Sequence, residues 1–441
     1  MARPNILLIH CHDLGQHLGC YGIETVRTPH LDQLAADGVR FARSYCASPS
    51  CSPSRAAIFT GRWPHSNGVM GLCHADFAWD LHADEQHLAQ LLAGNGYATA
   101  AVGVIHETAS GAERCGYQRY APPARAAAAT DAALGLLDEL SADEAPWYLC
   151  VGFIEPHRLP EVHPETGIAG DNSFPGPGLK PDDELGVQVP PYLADTPGTR
   201  WELAGLQGAL AEVDRNVGRL LARLAERGLA EDTLVVFTTD HGIAMPRAKC
   251  SLYEPGISTA LILRLPSRAG WHGGRVVEPL ISNIDYLPTL LELVGVEAPA
   301  AVQGRSFAPL LDSDLYEPRQ HLFSEMTYHD YYDPRRAVRN GRYKLIANFT
   351  SAPEFMDCSQ SWRPVSDVAS SNHAVSYHPP IELYDLENDP AELINLADEP
   401  GLAEAQAELL AALGEHLRAT DDPILSGAVG NPLARRTLAL L

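Results

Sequence analysis

The chain has 441 residues, a length that accommodates one large domain with a smaller companion. Its formal charge of −24, from 56 acidic against 32 basic side chains, excludes nucleic acid and an anionic membrane as partners, since either needs a broad basic surface. No apolar run reaches bilayer-spanning length, while an apolar content of 45% supplies a sizeable core.

In chain order, residues 4–10 form an apolar β-run that ends in Cys11-His12-Asp13-Leu14-Gly15. Residues 28–35 open a helix, with Pro29 suited to its first turn. Cys51 precedes a short helical segment from Ser54 to Phe59, which sets its side chain at the positive end of a helix dipole. A second β-run, residues 97–104, ends in Ile105-His106-Glu107, and a third, Trp147 to Ile154, ends in Glu155-Pro156-His157. Ala209 to Arg227 places Leu210, Val213, Val217, Leu220 and Leu224 on one face and stops at Gly228, as a sheet-covering helix does. The fourth β-run, Thr233 to Thr239, ends in Asp240-His241-Gly242. Continuous apolar runs separated by helical patterns read as buried parallel strands. In open α/β sheets the ligand lies beyond the carboxyl ends of the strands, where all four polar clusters fall. One His or Asp after a strand is ordinary; four such clusters at the same end mark a site.

The pattern changes near residue 315. Short β-like stretches at 321–327, 337–349 and 381–384 precede a helix from Leu402 to Leu417. This predicts a small α+β domain over 316–441, packed on a large α/β domain over 1–315 that is built on a mostly parallel sheet. Segments 158–200 and 350–380 bear Pro and Gly, lack periodicity, and are expected to wall a substrate pocket. Nine cysteines, an odd number without small-domain spacing, fit a reducing, cytoplasmic setting. Only three lysines occur, Lys180, Lys249 and Lys344, which singles out any lysine near a candidate site.

The most specific motif is Cys51-Ser52-Pro53-Ser54-Arg55, running on to Thr60-Gly61 as C-x-P-S-R-x-x-x-x-T-G. It resembles the signature of type I sulfatases, in the alkaline-phosphatase superfamily. The similarity extends over nearly the whole chain, from Arg3-Pro4-Asn5 through Thr239-Asp240-His241-Gly242 and Gln303-Gly304-Arg305. The stretches around Glu325-Met326-Thr327 and Glu382-Leu383-Tyr384-Asp385 most resemble the heparan N-sulfatase (sulfamidase) branch. The resemblance implies an alkaline-phosphatase-like large domain and a hydrolase of sulfuric esters or sulfamates acting on a small sulfated substrate, a sugar being one option. It also implies that a maturation enzyme oxidises Cys51 to formylglycine, whose hydrate supplies one hydroxyl to attack sulfur and another to release the sulfo group. An unmodified thiol lacks that second hydroxyl.

Carried over by position, a divalent metal would be held by Asp13, Asp240, His241 and residue 51, with His12 as a further ligand. Arg55 would neutralise the alkoxide, His106 would act as base, and His157 and Lys249 would grip the sulfo group and protonate the leaving atom. Two positions depart from the family pattern. His12 stands where an aspartate is usual, and Val104 stands where a lysine is usual. Calcium is the expected ion, with Mn²⁺ or Zn²⁺ as alternatives because imidazole favours them. An arginine from elsewhere in the chain, Arg335 and Arg336 being candidates, could replace the missing lysine, and the sequence does not place it. Alternative functions are a phosphonate or phosphate ester hydrolase of the same superfamily, or an inactive sulfate- or sugar-binding homologue. Homo-oligomerisation is compatible with all of them.

Overall fold

The computed structural model describes residues 3–162, 169–174, 178–313, 315–352 and 377–441. An eight-stranded sheet is built from β1 (Asn5–Cys11), β2 (Val39–Phe41), β3 (Ala98–Gly103), β4 (Arg119–Ala121), β5 (Trp147–Phe153), β6 (Thr233–Thr239), β7 (Leu261–Arg264) and β8 (Arg275–Val277). Their order across the sheet is β8-β2-β7-β6-β1-β5-β3-β4. β1 pairs in parallel with both β5 and β6, so that Leu7 lies opposite Leu149 and Val235. β3 is parallel to β5, and only β7 runs antiparallel to its two neighbours.

The central strands are apolar throughout because both of their faces are covered. On one face Leu7 and Ile9 join a core with Leu31 and Leu34 of α1 (Pro29–Asp37), Ala133 and Leu137 of α3 (Ala126–Leu140), and Leu210 and Val217 of α4 (Pro197–Glu226). On the other, Ile6 and Leu8 pack with Ile58 and Phe59 of α2 (Cys51–Thr60) and with Leu287 and Leu290 of the helix Tyr286–Leu293. α1 has no side-chain cap of its own. The Asp214 carboxylate of α4 accepts from the backbone N–H of Leu31 at 2.8 Å and does that work.

Helix α4 begins twelve residues before the predicted Ala209. Thr196 caps it by accepting from the Thr199 N–H at 3.1 Å, Pro197 fills its first turn, and Leu203 and Leu206 keep the buried face in phase. Gly205 and Gly208 hide that phase in the sequence. A Cβ at Gly208 would lie 1.9 Å from the Lys180 carbonyl, so these glycines let the preceding chain rest directly on the helix. The described part of 158–200 therefore covers α4 and forms a hairpin of strands Leu159–Val162 and Ala169–Ser173. Among the described residues, none of 158–200 lines the pocket at Cys51, contrary to the expected wall. The companion expectation for 350–380 falls largely on residues 353–376, outside those described.

A second, antiparallel sheet has the order β9-β10-β11-β12, from β9 (Leu322–Tyr328), β10 (Tyr332–Arg339), β11 (Tyr343–Asn348) and β12 (Ile381–Asp385). The single stretch predicted over 337–349 is two strands. Asn340 Oδ1 accepts from the N–H groups of Arg342 and Tyr343 and turns the chain between them. Leu409, Leu413 and Leu417 of α5 (Ala403–Ala419) pack on Val338, Leu345 and Leu383 of this sheet. No helix among the described residues is long and apolar enough to cross a membrane.

Candidate active site

Cys51 is the first residue of α2, three residues earlier than the predicted helix start, and its side chain is buried. Ser50 provides no side-chain cap, so no hydroxyl competes for the first-turn N–H groups. The helix is tied to the sheet by the Ser54 hydroxyl, which donates to the Asp240 carbonyl at 2.5 Å, and by Asn283 Nδ2, which donates to Ser54 Oγ at 3.0 Å. Gly61, in the left-handed region at φ 66°, ends it.

The loops after β1 and β6, neighbouring strands, meet beside Cys51. Asp13 is itself left-handed at φ 46°, a conformation that Asp tolerates better than most residues. It is held there by its N–H, which donates to Asp240 Oδ1 at 3.0 Å; the His241 N–H donates to the same oxygen at 2.9 Å. His12 Nδ1 lies 3.2 Å from Asp240 Oδ2, while its Nε2 is buried without a hydrogen-bond partner. One ligand atom from each of His12, Asp13, Cys51 and Asp240 can be chosen so that all lie within 4.8 Å of one another. His241 Nδ1 donates to the Gly242 carbonyl at 3.0 Å, which leaves Nε2 facing Cys51 Sγ at 3.3 Å and Asp13 Oδ1 at 3.4 Å.

Three anionic groups converging in a buried space draw positive charge to themselves. Burial works to lower the His241 imidazole, but Asp240 and Cys51 overcome it and raise it to about 9. Burial likewise works to raise the Cys51 thiol, yet Lys249 and His241 hold it well below its ordinary value. Lys249 Nζ donates to both oxygens of Asp13, at 3.0 and 2.9 Å, and stands 3.4 Å from His157 Nε2. His157 Nδ1 donates to the Arg158 carbonyl at 2.6 Å; burial and then Lys249 push this imidazole down to about 4, so it is neutral. An orphaned imidazole nitrogen beside two carboxylates, in a cluster that already recruits cations, is a donor set that fits a divalent metal ion.

Arg55, one helical turn after Cys51, is buried beneath the cluster. Its Nη2 donates to Asp240 Oδ2 at 3.2 Å and its Nη1 to His10 Nδ1 at 2.5 Å. His106 follows β3 and is joined to His74, with Nδ1 of His74 2.9 Å from Nε2 of His106. Behind it, buried Glu107 accepts from the His106 N–H at 2.8 Å, from the Cys115 thiol at 3.6 Å, and lies 3.4 Å from His87 Nε2.

Above Cys51 opens a pocket of about 550 Å³, lined by the polar side chains of His12, His74, His106, His157, Lys249, His329 and Asp330 and by Leu72, Phe77, Val104 and Tyr120 among others. The residues assigned by position to the metal and to catalysis, Asp13, Asp240, His241, His12, Cys51, Arg55, His106, His157 and Lys249, all reach this cluster, Arg55 from below rather than as a wall. Arg335 and Arg336 do not replace the lysine absent at Val104. Both are buried in ion pairs elsewhere, Arg335 with Asp333 and Arg336 with Asp422. Two histidines unnoticed in the sequence, His74 and His329, line the pocket instead. The available signal was compositional, 18 histidines against three lysines.

A family model described as "Sulfatase" matches residues 4–296, and one described as "N-sulphoglucosamine sulphohydrolase, C-terminal" matches residues 247–376. Human N-sulphoglucosamine sulphohydrolase is 29% identical over 96% of this chain and 91% of its own. Human arylsulfatase A is 33% identical over 94% of this chain and 87% of its own. Among solved structures, a protein in complex with its substrate D-glucosamine-2-N,6-O-disulfate superposes with a TM-score of 0.71 at 21% identity, covering 96% of this chain and 99% of that one.

Proposed function

Since this chain belongs to the sulfatase family and is a hydrolase of sulfate esters or sulfamates, we propose that it releases inorganic sulfate from a sulfated amino sugar, using residue 51 after conversion to formylglycine by a maturation enzyme. The observation that carries this reading is the convergence of Cys51, at the N-terminus of a buried helix, with Asp13, Asp240, His12 and His241. The sugar class follows from what the similar proteins are named for.

Asp13, Asp240, His12, His241 and residue 51 would hold the metal, and the bound ion together with the hydrated aldehyde would supply Lewis acidity and a nucleophilic hydroxyl. The two carboxylates suit calcium, the first choice, while the two imidazoles add donors that suit Mn²⁺ or Zn²⁺. Arg55 brings a fixed positive charge to the place where negative charge builds at residue 51. His106, fixed by His74 and by the Glu107 contact to its backbone, moves the proton at residue 51. Lys249 keeps its proton through Asp13 whereas His157 is neutral, so the ammonium is the donor to the departing atom. On this reading residues 1–315 carry the chemistry, residues 316–441 close the sugar side, and the enzyme works in the cytoplasm, where the cysteines other than Cys51 stay reduced.

The test is kcat/KM on matched sulfate and phosphate esters, alongside N-sulfated and O-sulfated glucosamine, with the fraction of modified Cys51 measured by intact mass. Sulfate release from glucosamine sulfates, in preference to phosphate release, is expected. A higher kcat/KM on the phosphate or phosphonate ester would move the protein to the phosphoryl side of the superfamily.

A further inference from the structure

Lys249 sits within residues 247–254, whose backbone is strained on both sides of it. Arg247 and Cys250, neither of them glycine, stand in the left-handed region at φ 61° and 64°. Such a conformation is costly for a residue with a Cβ and persists only where the surroundings over-determine it. Within the stretch the Lys249 N–H donates to the Ile243 carbonyl at 3.0 Å and the Cys250 N–H to the Pro49 carbonyl at 2.8 Å, which ties the lysine to the approach to Cys51. Both ends are held by one residue from the part of the chain built on the antiparallel sheet. Arg247 lays its guanidinium over the Tyr253 ring, 4.0 Å from the centroid, and its Nη2 donates to the Glu392 carbonyl at 2.6 Å. The Glu254 N–H donates to Glu392 Oε2 at 2.5 Å. Glu392 is buried, follows β12, and is itself left-handed at φ 56°, with its N–H donating to the Asp389 carbonyl at 3.0 Å.

The Glu392 carboxylate is fixed in its turn. Lys344 of β11, fully buried, places Nζ 2.5 Å from Glu392 Oε1 and 3.2 Å from Glu254 Oε1, while Arg339 of β10 donates to Glu254 Oε2 at 2.8 Å. Both oxygens of Glu392 therefore face donors, which a glutamine cannot match because its NH₂ points at one of them. Glu392 is not among the residues lining the Cys51 pocket, so any effect on the reaction passes through another residue. We propose that Glu392 is a positioning residue: it clamps Arg247 and Glu254, and so fixes the stretch between them that delivers the Lys249 ammonium to the departing atom. This rests on the assignment of Lys249 as proton donor made above.

The experiment measures kcat/KM of the modified, metal-loaded enzyme on a series of aryl sulfates of graded phenol pKa, which carry no sugar, for wild type, Glu392→Gln, Lys249→Ala and the double variant. Glu392→Gln is expected to lose about tenfold more on the poorest leaving group than on nitrophenyl sulfate, because a displaced donor costs most where a proton is needed most. Added to Lys249→Ala, it is expected to steepen the dependence on leaving-group pKa no further, since it acts through the lysine. An equal loss across the series, the mark of a purely structural role, overturns the proposal, and so does a steepening that multiplies with that of Lys249→Ala. Should Glu392→Gln fail to fold, Arg247→Gln, which removes the contact to the Glu392 carbonyl and leaves the carboxylate paired, is read by the same two criteria. A Lys249→Ala series with the wild-type slope would instead refute the donor assignment, and this proposal with it.

Discussion

Replacing Glu107 by Gln should cost both stability and rate, and the size of the first effect follows from the structure. All three partners of this carboxylate are donors: the His106 N–H, the Cys115 thiol, and His87 Nε2, which carries the ring proton because Nδ1 accepts from the Ala89 N–H at 3.1 Å. Burial works to raise the Glu107 carboxyl, yet the hydrogen bond from His87, that from the His106 N–H and the positive charge of Arg55 bring it down to about 2 from an ordinary 4.5. A carboxyl only 1% exposed and held that low contributes about 3 kcal/mol at neutral pH. Because the folded value lies below the unfolded one, the contribution is complete above about pH 4.5 and is lost as pH falls toward 2. A glutamine turns its NH₂ toward a donor whichever way it is placed, and the charge is gone. Urea unfolding should therefore show Glu107→Gln less stable by about 3 kcal/mol at pH 7, with the gap narrowing below about pH 4.5. Because the same carboxylate positions the His106 backbone, kcat should fall by about tenfold with little change in KM. A stability loss below about 0.5 kcal/mol, or a gap that does not vary with pH, would refute the reasoning.

Three further outcomes are expected. Cys51→Ala and Cys51→Ser should stay folded and lose essentially all turnover, while the active wild-type protein is lighter than its sequence by about 18 Da; substantial activity in either variant would remove residue 51 from the chemistry. Chelation, Asp13→Asn and Asp240→Asn should each abolish sulfate release, and His12→Asp should tighten calcium binding by supplying a carboxylate in place of an imidazole. Unchanged affinity and metal preference in His12→Asp, followed by calorimetry, would place His12 outside the ligand set. Lys249→Ala should damage sugar sulfates more than activated aryl sulfates, by a differential of roughly 10²–10⁴-fold, because a proton donor matters most for a poor leaving group. A dependence of kcat/KM on leaving-group pKa that matches wild type would remove Lys249 from the acid role.

What the sequence by itself determined was local: four apolar runs, each ending in a polar cluster, and one motif at residues 51–61 with a helix behind it. Periodicity and apolar continuity are properties of neighbouring residues, so β1, β3, β5 and β6 match the predicted runs to within a residue or so. The tertiary structure decided what those ends meet. The strand order β6-β1-β5-β3 sets four loops side by side, and it brings Lys249 to Asp13 across 236 residues. That same packing took Arg335 and Arg336 away into Asp333 and Asp422, and delivered His74 to His106 from a loop without any recognisable period. It also hid the first turns of α4, where Gly205 and Gly208 interrupt the apolar face so that another segment can lie on it. Such encounters depend on crossovers and on which carboxylate is buried within reach of which cation. Those are contact energies between distant segments, and they leave no mark on the local pattern of residues.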